Sequence, residues 1–231
     1  MREIEFANGS LYHVFNRGFD RSVLFRDQTD FQRFYISLYL FNNIHFVNPG
    51  GNAPPSSLSD EVLDRLMERE EKRTPFVRII SFCLLSNHFH LFFEQLVDGG
   101  IPKFMHRVSM GYARYFNKRY ERTGRLFSSS YKAVLIRRDA QLDHLPRYIH
   151  FNALDGSRLP WRDGRIRDWN RAQQILDSYP WSSHHVYAGR TQPLPLVDLD
   201  SVRRLFPKPS LYVAFLKRWS SRSLLPNFVT E

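Results

Sequence analysis

The chain holds a single cysteine, Cys83, among 231 residues. That excludes an intramolecular disulfide and any zinc site built from several thiolates. Long apolar runs are missing as well. No stretch approaches the length needed to cross a bilayer, and the opening residues MREIEFANGS carry no apolar signal region. The expected setting is cytoplasmic, with no membrane partner. Acidic residues are in the minority, 23 against 33 Lys and Arg, which leaves a formal net charge of +10. An excess of that size favours a polyanion, and nucleic acid comes first because no apolar anchor accompanies it.

Hydrophobic residues make up 42% of the chain, enough for one substantial core at this length but not for two. The charge is not spread evenly. Between Ile101 and Arg138 there are 3 Lys and 7 Arg against one acid, Glu121, so 10 − 1 = +9 sits in one segment. Solvated surfaces usually mix their signs, and this clustering reads as a binding face.

Residues 10–18, SLYHVFNRG, read as a first strand. Residues 27–41 place Phe31, Phe34, Tyr35, Leu38 and Phe41 at helical spacing behind Asp27, a suitable N-cap. Turn formers at 48–57 and a charged helix at 60–73 mark 42–75 as a surface insertion. Residues 76–96 are apolar and β-rich, with Ser86-Asn87 able to turn them into a hairpin. A strong helix follows at 99–120, with Lys103, Arg107, Arg114 and Lys118 in a basic line beside its apolar stripe. A strand at 131–138 and a helix at 139–154, bent at Pro146, complete the unit. The order is that of an α+β, ferredoxin-like β-α-β-β-α-β core with an antiparallel sheet. Residues 1–155 then form one domain. Residues 156–231 read as an irregular and helical C-terminal extension packing on it, with short helices near 168–178 and 198–206.

The hairpin contains NHFHLFF, with His88 and His90 one residue apart. On a strand they share a face, while Phe89 and Leu91 go to the other. Two readings stand: imidazoles satisfied by the backbone in a core, or paired ligands of one metal ion. The 139–154 helix offers His144, Tyr148 and Asn152 at i, i+4 and i+8. An Asn oxygen can complete a metal site, and a Tyr one turn away can reach a phosphate held there. The plainer readings are a core aromatic for Tyr148 and a helix C-cap for Asn152.

These stretches carry a resemblance. NHFHLFF looks like the His-hydrophobic-His motif of HUH single-strand DNA endonucleases. Together with YHVFNRG, GGIPKFMHRVSMGYARYFNKRYERTGRLF, YKAVLI, RYIHFNAL and YPWSSHHVY, in order from residue 12 to 187, it resembles the REP-associated tyrosine transposases. The resemblance implies a metal-dependent endonuclease and strand transferase acting on single-stranded DNA near hairpins of REP-like palindromes. It implies Tyr148 as the nucleophile of a covalent 5′-phosphotyrosine, and Mg²⁺ or Mn²⁺ held by His88, His90 and Asn152. The expected DNA contacts are Lys103, Arg107, Arg114, Lys118, Arg122, Arg125, Lys132, Arg137 and Arg138. Tyr115, Tyr120 and Tyr131 are rival nucleophiles by position but match no catalytic position of the family, and Tyr112, Tyr115 and Tyr120 could stack bases. The chain departs from the family pattern at Ala153, at Ser128-Ser129-Ser130 and at Pro146. Two alternatives remain: a domesticated hairpin-binding protein that does not cut, and an HUH replication initiator. The partner is single-stranded or hairpin DNA, and the protein a monomer or homodimer.

Overall fold

The computed structural model describes residues 4–46, 55–68, 73–137 and 142–222. Strand β1 (Leu11–Arg17) is followed by helix α1 (Gln28–Phe41), and Asp27 caps that helix by accepting from the Asp30 N–H at 3.1 Å. Helix α2 (Asp60–Met67) lies in the 42–75 insertion. The hairpin follows as β2 (Val77–Leu85) and β3 (His88–Gln95), turning at Ser86-Asn87. Helix α3 (Gly100–Arg119) and strand β4 (Lys132–Ile136) come next.

The strands form one sheet in the order β2-β3-β1-β4, with each neighbouring pair antiparallel. This is the ferredoxin-like arrangement read from the element order. Helices α1 and α3 cover the face that carries Tyr12, Val14, Phe89, Leu91 and Phe93. Phe34 packs on Phe89 with ring centroids 5.1 Å apart, and Phe104 on Phe93 at 5.5 Å. The two helices touch closely at Gly111, where a Cβ would fall 2.7 Å from the Phe41 ring.

Helix α4 (His144–Phe151) crosses the other face and runs into a 3-10 turn, Asn152–Leu154. The helix is interrupted at Asp143, between the helical Leu142 and His144, in the turn before Pro146 where the ring and missing N–H were expected to disturb it. Pro146 thus sits in the first turn of the segment that resumes at His144, where its missing N–H breaks no bond within that segment. Residues 138–141, the start of the expected helix, lie outside the described residues.

The C-terminal extension holds α5 (Trp169–Ser178), α6 (His184–Tyr187), α7 (Leu199–Leu205) and α8 (Pro209–Trp219). Asp168 and Asp198 cap α5 and α7 through their side chains. A bulge between Ile79 and Ser81 disturbs the β2–β3 ladder. Along β2 the extension supplies partners: Asp198 N–H to the Ile79 carbonyl, Tyr187 O–H to Ile80, Ser183 N–H to Phe82, and the Leu84 N–H to the Trp181 carbonyl. Edge strand β2 is covered in this way rather than left to pair with another chain.

Candidate active site

The β1–β3 register decides what surrounds the histidine pair. Phe15 lies opposite His90, Arg17 opposite His88, and Lys132 of β4 opposite Phe15, so all five share the face under α4. His13, two residues before Phe15, is on that face too. Its Nε2 lies 3.0 Å from His90 Nδ1, so the two imidazoles share one hydrogen bond. The His88 and His90 rings stand edge to face with centroids 5.1 Å apart. His88 Nδ1 lies 2.7 Å from Asn87 Oδ1, which as an acceptor places the ring proton on Nδ1.

Burial holds both inner imidazoles neutral. His13 is pushed down to about 3, and His90 lies well below the usual histidine value, through burial first and then the neighbouring His13, His88 and Arg162. Neutral rings are the form that ligates metal. The contacts of His88 with Asn87 and of His90 with His13 are of the kind that orient imidazoles in metal sites.

Helix α4 brings Tyr148 over this pair. Its ring is edge-on to His90 at 5.5 Å and to His13 at 5.9 Å. Asn152 is held one turn on, its Nδ2 donating to the Tyr148 carbonyl at 2.7 Å. Its Oδ1 accepts from Arg162 at 3.2 Å, and Arg162 also pairs with Asp155 at 2.9 Å and lies over the Trp161 ring. The structure thus brings Tyr148 onto His90, with Asn152 one turn further on and joined through Arg162 to the lining that His88 and His90 share. His144 goes elsewhere: it packs on Trp219 and Phe215 of the extension.

The donors fit a divalent ion in part. The His88 and His90 imidazoles are held by Asn87 and His13, while the Asn152 oxygen faces a guanidinium. Among the described residues no group of three His, Cys, Asp or Glu side chains is arranged to hold a metal.

A cleft of about 430 Å³ opens on this face, lined by His88, His90, Phe15, Lys132, Arg17, Arg21 and Arg162 among others. Tyr148 is not among its lining residues and is only 4% exposed. The cleft is cationic. Arg17, Arg21 and Lys132 enter no ion pair among the described residues, against one lining acid, Asp155.

The basic segment divides. Lys132 lines the cleft and Arg125 lies over Phe19 near its rim; Arg122 donates to the Arg125 carbonyl. Lys103, Arg107, Arg114 and Lys118 ride on α3, behind the opposite face of the sheet from the histidines. Arg107 is occupied there, donating to the Asn43 carbonyl at 2.9 Å and covering Phe76. Arg137 is exposed just past β4, and Arg138 lies outside the described residues. The tyrosines considered as stacking platforms or rival nucleophiles are engaged. Tyr112 donates to the Leu24 carbonyl, Tyr115 and Tyr120 donate to the buried Asp30, and Tyr131 is buried beside Phe6.

His13, Arg17, Arg21 and Arg162 are the additions. The first two follow from strand alternation once β1 is paired with β3. Arg162 has no signal in its local sequence.

Residues 56–152 match the family model described as transposase, IS200-like. No curated protein sequence matches the chain significantly. Among solved structures, a REP-associated tyrosine transposase bound to a REP hairpin superposes with TM-score 0.50 at 12% identity, over 86% of this chain and 92% of that one. The tRNA(His) guanylyltransferase of Saccharomyces cerevisiae gives 0.32 at 10% identity, over 100% and 85%, below the level of a shared fold.

Proposed function

We propose, from the match of residues 56–152 to the IS200-like transposase family model, a metal-dependent endonuclease and strand transferase for single-stranded DNA, acting beside hairpins of REP-like palindromes through a covalent 5′-phosphotyrosine on Tyr148. The observation that carries the reading is the edge-on contact of Tyr148 with His90, which together with His88 lines a cationic cleft.

His88 and His90, with the amide oxygen of Asn152, would hold Mg²⁺ or Mn²⁺, ions suited to a mixed nitrogen and oxygen set that exchanges with phosphate. When bound, the ion supplies Lewis-acid polarisation of the scissile phosphate. Arg17, Arg21 and Lys132 draw the backbone into the cleft and fix its register. The Tyr148 oxygen attacks phosphorus and its proton leaves to water. The bond from phosphorus to the 3′ oxygen breaks, and that oxygen takes the electron pair and a proton. The phosphotyrosine bond keeps the ester energy, so a 3′-OH of another strand reverses the step without a nucleotide cofactor. Tyr148 is buried, with Trp161 at 5.8 Å between ring centroids. Under this reading attack requires the segment from Asp155 to Arg162, which carries Trp161, to move off the tyrosine.

The same burial, with Arg162 on the Asn152 oxygen, favours a second reading: a protein that grips hairpin DNA or RNA without cutting it. One experiment separates them. Labelled hairpins with single-stranded flanks are incubated with protein and Mn²⁺ and resolved on denaturing gels. An adduct with the wild type, lost in Tyr148→Phe while hairpin affinity persists, supports the endonuclease. Tight binding without adduct in Mg²⁺ or Mn²⁺ leaves the binder.

A further inference from the structure

After β1 the chain doubles back so tightly that a Cβ on Gly18 would fall 2.0 Å from the Ser22 carbonyl oxygen. Two non-glycine residues in that turn, Asp20 and Arg21, take left-handed φ of 50° and 57°. A left-handed φ is strained for a residue with a Cβ, and strain of this kind concentrates at ligand clamps. The turn is held on both sides. Gly18 N–H donates to the Asn87 carbonyl at 2.8 Å and Leu24 N–H to Ser86 at 2.7 Å, on the hairpin that carries His88. Phe19 N–H donates to the Leu126 carbonyl at 2.8 Å, and Ser128 N–H to Arg17 at 3.0 Å.

This hydrogen-bonded, strained turn presents Phe19 to solvent with 46% of its surface exposed. A lone exposed hydrophobe ordinarily needs no explanation. Phe19 differs in what surrounds it. The Arg125 guanidinium lies 5.4 Å from its ring centroid. Arg17 and Arg21, two residues away on either side, line the cleft with His88 and His90. An aromatic ring among unpaired cations is how proteins hold single strands: the charges track phosphates and the ring stacks a base.

We propose that Phe19 is a nucleobase-stacking subsite, which seats one unpaired base of the single-stranded DNA beside the cleft while Arg17, Arg21 and Arg125 hold its flanking phosphates. This rests on the endonuclease reading and deepens it, because it names what positions the strand over His88 and His90. Tyr112, Tyr115 and Tyr120 cannot serve, since their hydroxyls and rings are committed to the core and to Asp30. The requirement is for a flat π-face, so the subsite tolerates any base.

The test is a set of hairpins with single-stranded flanks, each with one abasic position, titrated by fluorescence anisotropy against wild type, Phe19→Ala, Phe19→Leu and Phe19→Trp. In the wild type one abasic position should weaken binding about tenfold. Phe19→Ala and Phe19→Leu should bind the intact DNA about tenfold more weakly and be indifferent to that same abasic site. Phe19→Trp should restore both the affinity and the sensitivity. Overturning results are an affinity of Phe19→Ala equal to wild type, or a loss that persists undiminished at every abasic position, which would make the ring structural. If the wild type binds hairpins but forms no adduct and the Phe19 pattern holds, only the endonuclease reading fails. If the wild type binds no single strand at low salt, both fail.

Discussion

Arg162 donates to the side-chain oxygen of Asn152 at 3.2 Å, across ten residues of chain, and the same guanidinium holds Asp155. The oxygen assigned to metal is thus shared with a cation. Arg162→Ala should remove that competition and tighten Mn²⁺ binding several-fold, read by the electron paramagnetic resonance of free Mn²⁺. DNA affinity should fall at the same time. Unchanged Mn²⁺ affinity would show that Asn152 is no ligand.

His13 is not among the residues that line the cleft but meets the His90 ring through the 3.0 Å contact. Outer-shell partners of this kind are typically worth 10–100-fold in metal affinity. His13→Ala should weaken Mn²⁺ binding by about that factor, and His13→Asn, which keeps a polar group toward His90, by less. Equal affinities in all three proteins would make His13 a packing residue.

Salt dependence should separate the two basic surfaces. Each phosphate contact to a single strand contributes about −0.7 to the log–log slope, so removing Arg17 and Arg21 should flatten it by about 1.4. Removing Arg107 and Arg114 should alter it much less, because they lie on α3, behind the sheet. Arg107→Ala should instead lower the melting temperature, since it releases the Asn43 carbonyl and uncovers Phe76. The reverse ranking of slopes would put the DNA on α3.

Acid should unfold the protein early. His184 is pushed down to about 4 by burial despite Asp177 at 3.1 Å, and burial holds His150 well below the usual histidine value. The unfolded chain takes these protons near pH 6.5 and the native state does not. Stability is therefore complete above about 6.5 and falls as the pH drops toward 4. His184 alone accounts for a loss on the order of 2 kcal/mol by pH 5. Urea midpoints at pH 7.5 and pH 5 measure it; equal midpoints would contradict the assignment. The change also loosens the extension, because Tyr212 lies at 2.8 Å from a ring nitrogen of both His184 and His150.

Local rules were enough for the elements. Alternation and 3.6-residue spacing act over a few residues, so β1, α1, the 77–95 hairpin, α3 and β4 were legible within a residue or two, as was the shared face of His88 and His90. Helical spacing also brought Tyr148 and Asn152 to one side of α4, and the interruption at Asp143 falls in the turn before Pro146, as the ring of a proline dictates. Tertiary structure decided everything that depends on register and layering. The pairing of β1 with β3 set His13 against His90, a contact between residues 77 apart. The packing of Phe93 on Phe104 sent α3 and its cations to the far side of the sheet, so clustering in sequence did not become clustering at the cleft. Arg162 reached Asn152 because the chain turns back after the 3-10 turn, and the extension buried Tyr148. Propensity is a property of neighbours in the chain. Which charges meet at a site depends on long-range packing, and no local pattern encodes it.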